Sequence, residues 1–223
     1  MNLTLDIDLF RRRVTEFKPE KFPIPRILSL FSAAITIADE KAVMTALEQG
    51  RKYAVTRELF YEIILQSYLF LGFPRMLTAA EQLNRVFPGN GSPDSDGQIT
   101  PDEAERWFAD GTRLCQKVYS HNYELLKNRV EQFAPEIFRW MIVEGYGKVL
   151  SRPELDVPTR ELSIIAFLMM ENREKQLFSH IKGAVNVGVD KELLRLVVGD
   201  IGRSAGDGYD TTVKILRQLE LVP

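Results

Sequence analysis

The sequence predicts an all-α protein made of two unequal repeats of one helical unit, and three observations carry that reading. Alternating apolar and polar runs of strand type are scarce. The segment RILSLFSAAITIADEKAVMTALEQGRKYAVTREL, from Arg26, lies without gaps on RELSIIAFLMMENREKQLFSHIKGAVNVGVDKEL, from Arg160, 134 residues later. Helix caps recur in register as well: Thr56 and Asp190 are good N-caps, followed by Glu58 and Glu192 where a helix dipole favours negative charge.

Each repeat reads as the same series. The first helix, near 26–38 and again near 158–171, is apolar almost all round, which predicts burial among other helices. The second, near 40–50 and 173–186, is amphipathic, with Leu177, Ile181, Ala184 and Val185 on one face. The third begins at Thr56 or Asp190. In the first repeat it is the greasy run Leu59 to Phe73, which contains Glu62 and Gln66 and falls short of the roughly 20 residues a membrane span needs, so it reads as a core helix. A fourth follows the bends GFPRM and GDGYD.

Between the repeats, PGNGSPDSDGQIT (88–100) is dense in turn formers. Thr100-Pro101-Asp102-Glu103 forms a capping box that starts a helix through DEAERWFADGTRLCQKVY, and a further helical stretch spans 122–149. The organisation expected is a degenerate N-terminal repeat at 1–87, a linker at 88–102 and a C-terminal repeat at 103–223. Asp94, Asp96, Gly97, Ile99 and Glu103 match positions of a calcium-binding loop, but Ser92 is a poor ligand at its first position and the capping box already occupies Glu103. A solvated loop is expected there, and no metal.

Composition narrows the function. With 223 residues, 45% hydrophobic and 27% charged, the chain has enough apolar material for a substantial core. Lys plus Arg number 29 against 31 Asp plus Glu, a net charge of -2, so nothing draws it toward nucleic acid or anionic lipid. The single cysteine, Cys115, forbids an internal disulfide, a thiolate-rich zinc site and a two-cysteine redox cycle. The opening MNLTLDIDLFRRRVTEF places acids before its basic cluster and does not read as a signal peptide, so a cytoplasmic protein is expected.

The stretch GYGKVLSRPELDVPTRELSIIAFLMMENREKQLFSHIKGAVNVGVDKELLRLVV resembles the carboxymuconolactone decarboxylase family, whose members show YG-x-[VIL]-x-x-RPGLD-x-x-TR-x-L and then LH-x-x-A-x-N-x-GV-x-x-E. The likeness covers 103–223, and more faintly 26–87 through VTREL and YLFLGFP. It implies the alkylhydroperoxidase D-like helical fold, a homo-oligomer, and cofactor-free decarboxylation of a small organic acid or lactone. Peroxidases of that fold resemble Glu-x11-Cys-x2-Cys-x3-His. Here Glu161 and His180 match the outer positions, but Arg173 and Gln176 replace the cysteines, and neither can supply the attacking or the resolving thiol. The first repeat holds Ile27, Asp39, Ala42 and Ala46 at those four places.

Glu161 and His180 are therefore the candidate catalytic pair. Each has two readings. Glu161 is either a desolvated carboxylate suited to proton transfer or a first-turn acid interacting with the helix dipole and Arg160. His180 is either an acid–base group or a satisfied core histidine. Arg152, Arg160, Arg173 and Gln176 are the candidate substrate-binding residues, since a guanidinium forks onto a carboxylate; solvation at the surface is the alternative for each arginine. Cys115, beside Leu114 and Val118, reads as a partly buried thiol. Tyr68, Gly72 and Pro74 read as backbone geometry at a bend. The partners expected are a small-molecule substrate and further copies of the chain. The rival to an enzyme is a non-catalytic binding or assembly protein of the same fold, and hydroperoxide reduction is disfavoured by the missing dithiol.

Overall fold

The computed structural model describes residues 5–89 and 99–222, and the regular structure among them is helical throughout. Helix α1 (Ile7–Thr15) is capped by Asp6, which accepts from the Leu9 N–H. There follow α2 (Pro23–Ile37), α3 (Glu40–Lys52), α4 (Arg57–Leu71) and α5 (Phe73–Val86). After the linker come α6 (Pro101–Tyr119), α7 (Tyr123–Phe133), α8 (Pro135–Trp140), a π-helix (Met141–Leu150), α9 (Val157–Met170), α10 (Glu174–Asn186), α11 (Lys191–Ile201) and α12 (Asp207–Gln218). The starts of α2, α3, α4 and α5 lie 134 residues before those of α9, α10, α11 and α12.

The caps act as their side chains dictate. Asp39 accepts from Ala42 N–H, Thr56 from Leu59 N–H, and Asp190 from both Glu192 and Leu193 N–H. At α6 the box closes in both directions: Thr100 N–H donates to Glu103 Oε2 at 3.0 Å and Glu103 N–H to Thr100 Oγ1 at 3.2 Å. Glu103 is thus engaged in its own helix terminus. Asp94, Asp96 and Gly97 of the calcium-like loop lie outside the described residues.

Helices α2 and α9 pack against each other at the centre, and every residue from Ile27 to Thr36 and from Thr159 to Met170 is buried. Helices apolar on all sides need cover on all sides. The hydroxyls that α2 carries into the core are satisfied locally, Ser32 donating to Leu28 C=O and Thr36 to Ser32 C=O, whereas the buried Ser163 hydroxyl of α9 has no partner among the described residues. Cover comes crosswise, because α4 of the first half lies on α9 and α11 of the second half lies on α2. The apolar core is accordingly one cluster with members from both halves.

The predicted helical stretch at 122–149 is divided in two ways. Pro135 lacks an N–H and forces Ala134 out of helical conformation (φ -159°), which separates α7 from α8. Beyond Trp140 the coil widens into the π-helix, whose backbone touches α6 through two glycines. A Cβ on Gly111 would lie 2.0 Å from Ile142 O, and one on Gly147 2.0 Å from Trp107 O. No side chain fits at either place, and this close approach sets the wall of the pocket described next. Among the described residues no helix is long and apolar enough to cross a membrane.

Candidate functional site

Glu161 enters the core one turn inside α9, four residues after the helix starts, so the first-turn reading does not describe it. Its neighbour Arg160 faces elsewhere. The connection from α9 to α10 is tight: Asn172 takes the left-handed conformation (φ 50°) and Arg173 N–H donates to Leu168 C=O. This turn lays α10 back along α9 and brings His180 to Glu161, with Nδ1 2.8 Å from Oε2. Both are buried, with Glu161 2% and His180 7% exposed. Gly183, one turn further along α10, makes room for the carboxylate, since a Cβ there would sit 3.3 Å from Glu161 Oε2 and 2.7 Å from Val118 Cγ1.

A carboxylate oxygen accepts and a ring N–H donates, so Nδ1 is the nitrogen engaged by Glu161 and Nε2 is left without that partner. His180 lines a pocket of about 400 Å³ and Glu161 does not, so the carboxylate stands behind the ring as the group that orients it. The other walls are Leu69 and Phe70 from α4, Tyr119 from α6, Ile137 and Trp140 from α8, and Met141, Glu144, Tyr146 and Leu150 from the π-helix. The rings of Phe70 and Tyr119 stand edge-on to the imidazole at 6.0 and 6.4 Å. Burial pushes the Tyr119 hydroxyl up to about 12 and Tyr146 well above its ordinary value, so both stay protonated at neutral pH.

Of the substrate-binding candidates, Gln176 alone lines this pocket, one turn before His180. The three arginines need correcting. Arg160, 1% exposed, directs Nη2 to Glu62 Oε2 at 2.8 Å, Nη1 to Gln66 Oε1 at 3.3 Å and Nε to Leu155 C=O at 3.1 Å. Arg152 holds the other oxygen of Glu62 at 2.9 Å. These two are committed to a buried acid, Glu62, which lies inside the greasy run of α4. Arg173 lies at the surface, its guanidinium 3.1 Å from Glu171. The pocket wall therefore contains neither arginine nor lysine among the described residues.

Sequence reasoning missed Glu144 and Tyr146 as wall residues because a π-helix leaves no periodic signature to read, and Tyr119 and Trp140 because they stand at the ends of α6 and α8, whose approach to His180 is a matter of tertiary packing. Glu144 is held by Tyr68, whose hydroxyl donates to Oε1 at 2.5 Å while its ring stacks on Phe73. Tyr68 thus does more than shape a bend. Gly72 (φ 79°) does shape one, ending α4. In the first half, the places of Glu161 and His180 are taken by Ile27 and Ala46, both buried in the common core. Cys115 is fully buried rather than partly so, with its thiol pushed up to about 12 by burial and then by the Glu161 charge.

No family model matches the chain. It is similar to "Peroxisomal protein 2" of Saccharomyces cerevisiae, 27% identical over 164 residues that cover 63% of this chain and 58% of that protein. It is also similar to "Peroxisomal protein 2" of Schizosaccharomyces pombe, 26% identical over 163 residues that cover 70% of this chain and 74% of that one. The chain thus spans less than two thirds of the Saccharomyces relative's own length.

Proposed function

We propose that the chain carries out cofactor-free acid–base chemistry on a small lactone or related carbonyl compound, with His180 Nε2 moving the proton and Glu161 orienting and charging the ring. The observation that carries this is the buried 2.8 Å contact between Glu161 and His180 at the side of a 400 Å³ pocket. A carboxylate behind an imidazole stabilises the imidazolium that forms when the base takes a proton. The absence of a cation from that wall favours an uncharged reacting end, such as a lactone carbonyl, over a free carboxylate. Gln176 is the side chain placed to donate to that carbonyl. The resemblance of the 145–198 segment to carboxymuconolactone decarboxylases, read from the sequence, supports the cofactor-free acid–base part of this reading.

The test is exchange of the proton next to the carbonyl. Unsubstituted and carboxylated five-membered lactones would be incubated with the protein in deuterated buffer and followed by NMR. Catalysed exchange or loss of carbon dioxide is expected, reduced by about a hundredfold or more in His180→Ala and less in Glu161→Gln. A His180→Ala protein as active as the wild type would remove the proposal. We further propose a peroxisome-associated location in place of the cytoplasmic one, because both relatives are named as peroxisomal proteins. Co-localisation of a tagged chain with a peroxisomal marker tests it.

A second reading, a homo-oligomer in which assembly is the main role, is favoured by the apolar side chains left uncovered on α7 and α8. Phe133 is 71% and Trp140 64% exposed.

A further inference from the structure

A second hollow, of about 510 Å³, opens between α7, α10 and α12, within the span of about 300–1,000 Å³ typical of small-ligand sites. Its surface divides by chemistry. Leu126, Phe178 and Ile215 supply apolar floor, and Arg129, Lys175 and Lys182 stand around it. On α10, Lys175, Ser179, Lys182 and Asn186 follow one another at spacings of four, three and four, so they share one face, roughly a third of a turn from the face of Gln176 and His180. The two hollows have only the Tyr119 wall in common.

The charges here are unbalanced. None of the three cations forms an ion pair with a carboxylate among the described residues, and the one acid in the wall, Glu174, has its carboxylate 3.2 Å from Lys214 Nζ. Lys182 Nζ lies 5.7 Å from the centre of the Phe178 ring, over the apolar floor. In a chain of net charge -2, three unopposed cations around one greasy hollow are a local feature and not a general surface property.

We propose that this hollow binds an amphipathic anion: an apolar body lies on Leu126, Phe178 and Ile215, and a carboxylate or phosphate head is held by Arg129, Lys175 and Lys182. Arg129 offers a bidentate fork, and the lysines act as mobile point charges from the facing helix. The site stands on its own geometry and does not depend on the chemistry assigned to His180.

Calorimetric titration of the full chain with decanoate, decyl phosphate and decanol tests it. Saturable binding of at least one of the anions, one molecule per chain, is expected, about tenfold tighter than decanol and weaker as salt is raised. The tighter of the two anions identifies the head group. The Lys175→Gln, Lys182→Gln double variant and, independently, Arg129→Gln should each weaken anion binding by about tenfold with circular dichroism unchanged, whereas His180→Ala should leave it as it is. The proposal is overturned if neither anion saturates, if decanol binds equally well, if the charge variants keep wild-type affinity, or if His180→Ala abolishes binding.

Discussion

Cys115 shows how far a single side chain's environment can depart from its composition. As the one thiol in the chain it invites a redox reading, yet it is sealed on α6 beneath the Glu161 charge and holds its proton up to about pH 12. A thiol exposed by unfolding releases its proton near pH 9.0. Between these values the unfolded chain binds fewer protons than the folded one, so stability falls as pH rises through that window. Urea denaturation at about pH 8 and about pH 10.5 should therefore show a smaller alkaline loss for Cys115→Ala than for the wild type. At neutral pH, labelling of the native thiol by a disulfide reagent should be no faster than unfolding. Rapid labelling would return Cys115 to consideration as a nucleophile.

At the scale of elements, α4 and α9 are joined by polar chemistry inside an apolar interface. Glu62 and Gln66, one turn apart, present one face of α4 to Arg160, while Arg152 closes the second oxygen of Glu62 from the loop before α9. Arg26, the counterpart of Arg160 in the first half, makes the corresponding reach from α2 to Asp200 on α11, with two contacts of 2.7 Å. Each half's central helix is thus pinned to the other half's third helix. Glu62→Ala would leave Arg160 buried without its carboxylate and should cost about 3–5 kcal/mol in denaturant unfolding. A loss below about 1 kcal/mol would mean that Arg160 finds water or another partner, and the pinning argument would fail.

At the scale of the whole molecule, uncovered apolar surface remains. Phe108, Phe133, Ile137 and Trp140 are all at least half exposed or nearly so, from 49% to 71%, and they belong to the helices that only the second half possesses. Ile137 and Trp140 also form part of the wall of the His180 pocket, so assembly through this face would close that pocket. Light scattering on the purified chain should report two or more copies per particle at micromolar concentration, and Trp140→Ser with Phe133→Ser should shift it toward one. A wild-type monomer would refute assembly through this face.

The helical class, the cap residues, the recurrence at 134 residues and the two members of the candidate pair were legible in the chain, because each depends on local periodicity or on residue type at short spacing. Contact between Glu161 and His180 follows from the tight turn at Asn172 that lays α10 back along α9. What could not be read were the partners of the three arginines, the π-helix that forms one wall, and the absence of arginine and lysine, among the described residues, from the wall of the His180 pocket. Glu62 lies 98 residues from Arg160 and 90 from Arg152. Which of several guanidiniums meets a buried acid depends on how helices distant in sequence cross, and that is decided by packing the two central helices on all sides at once.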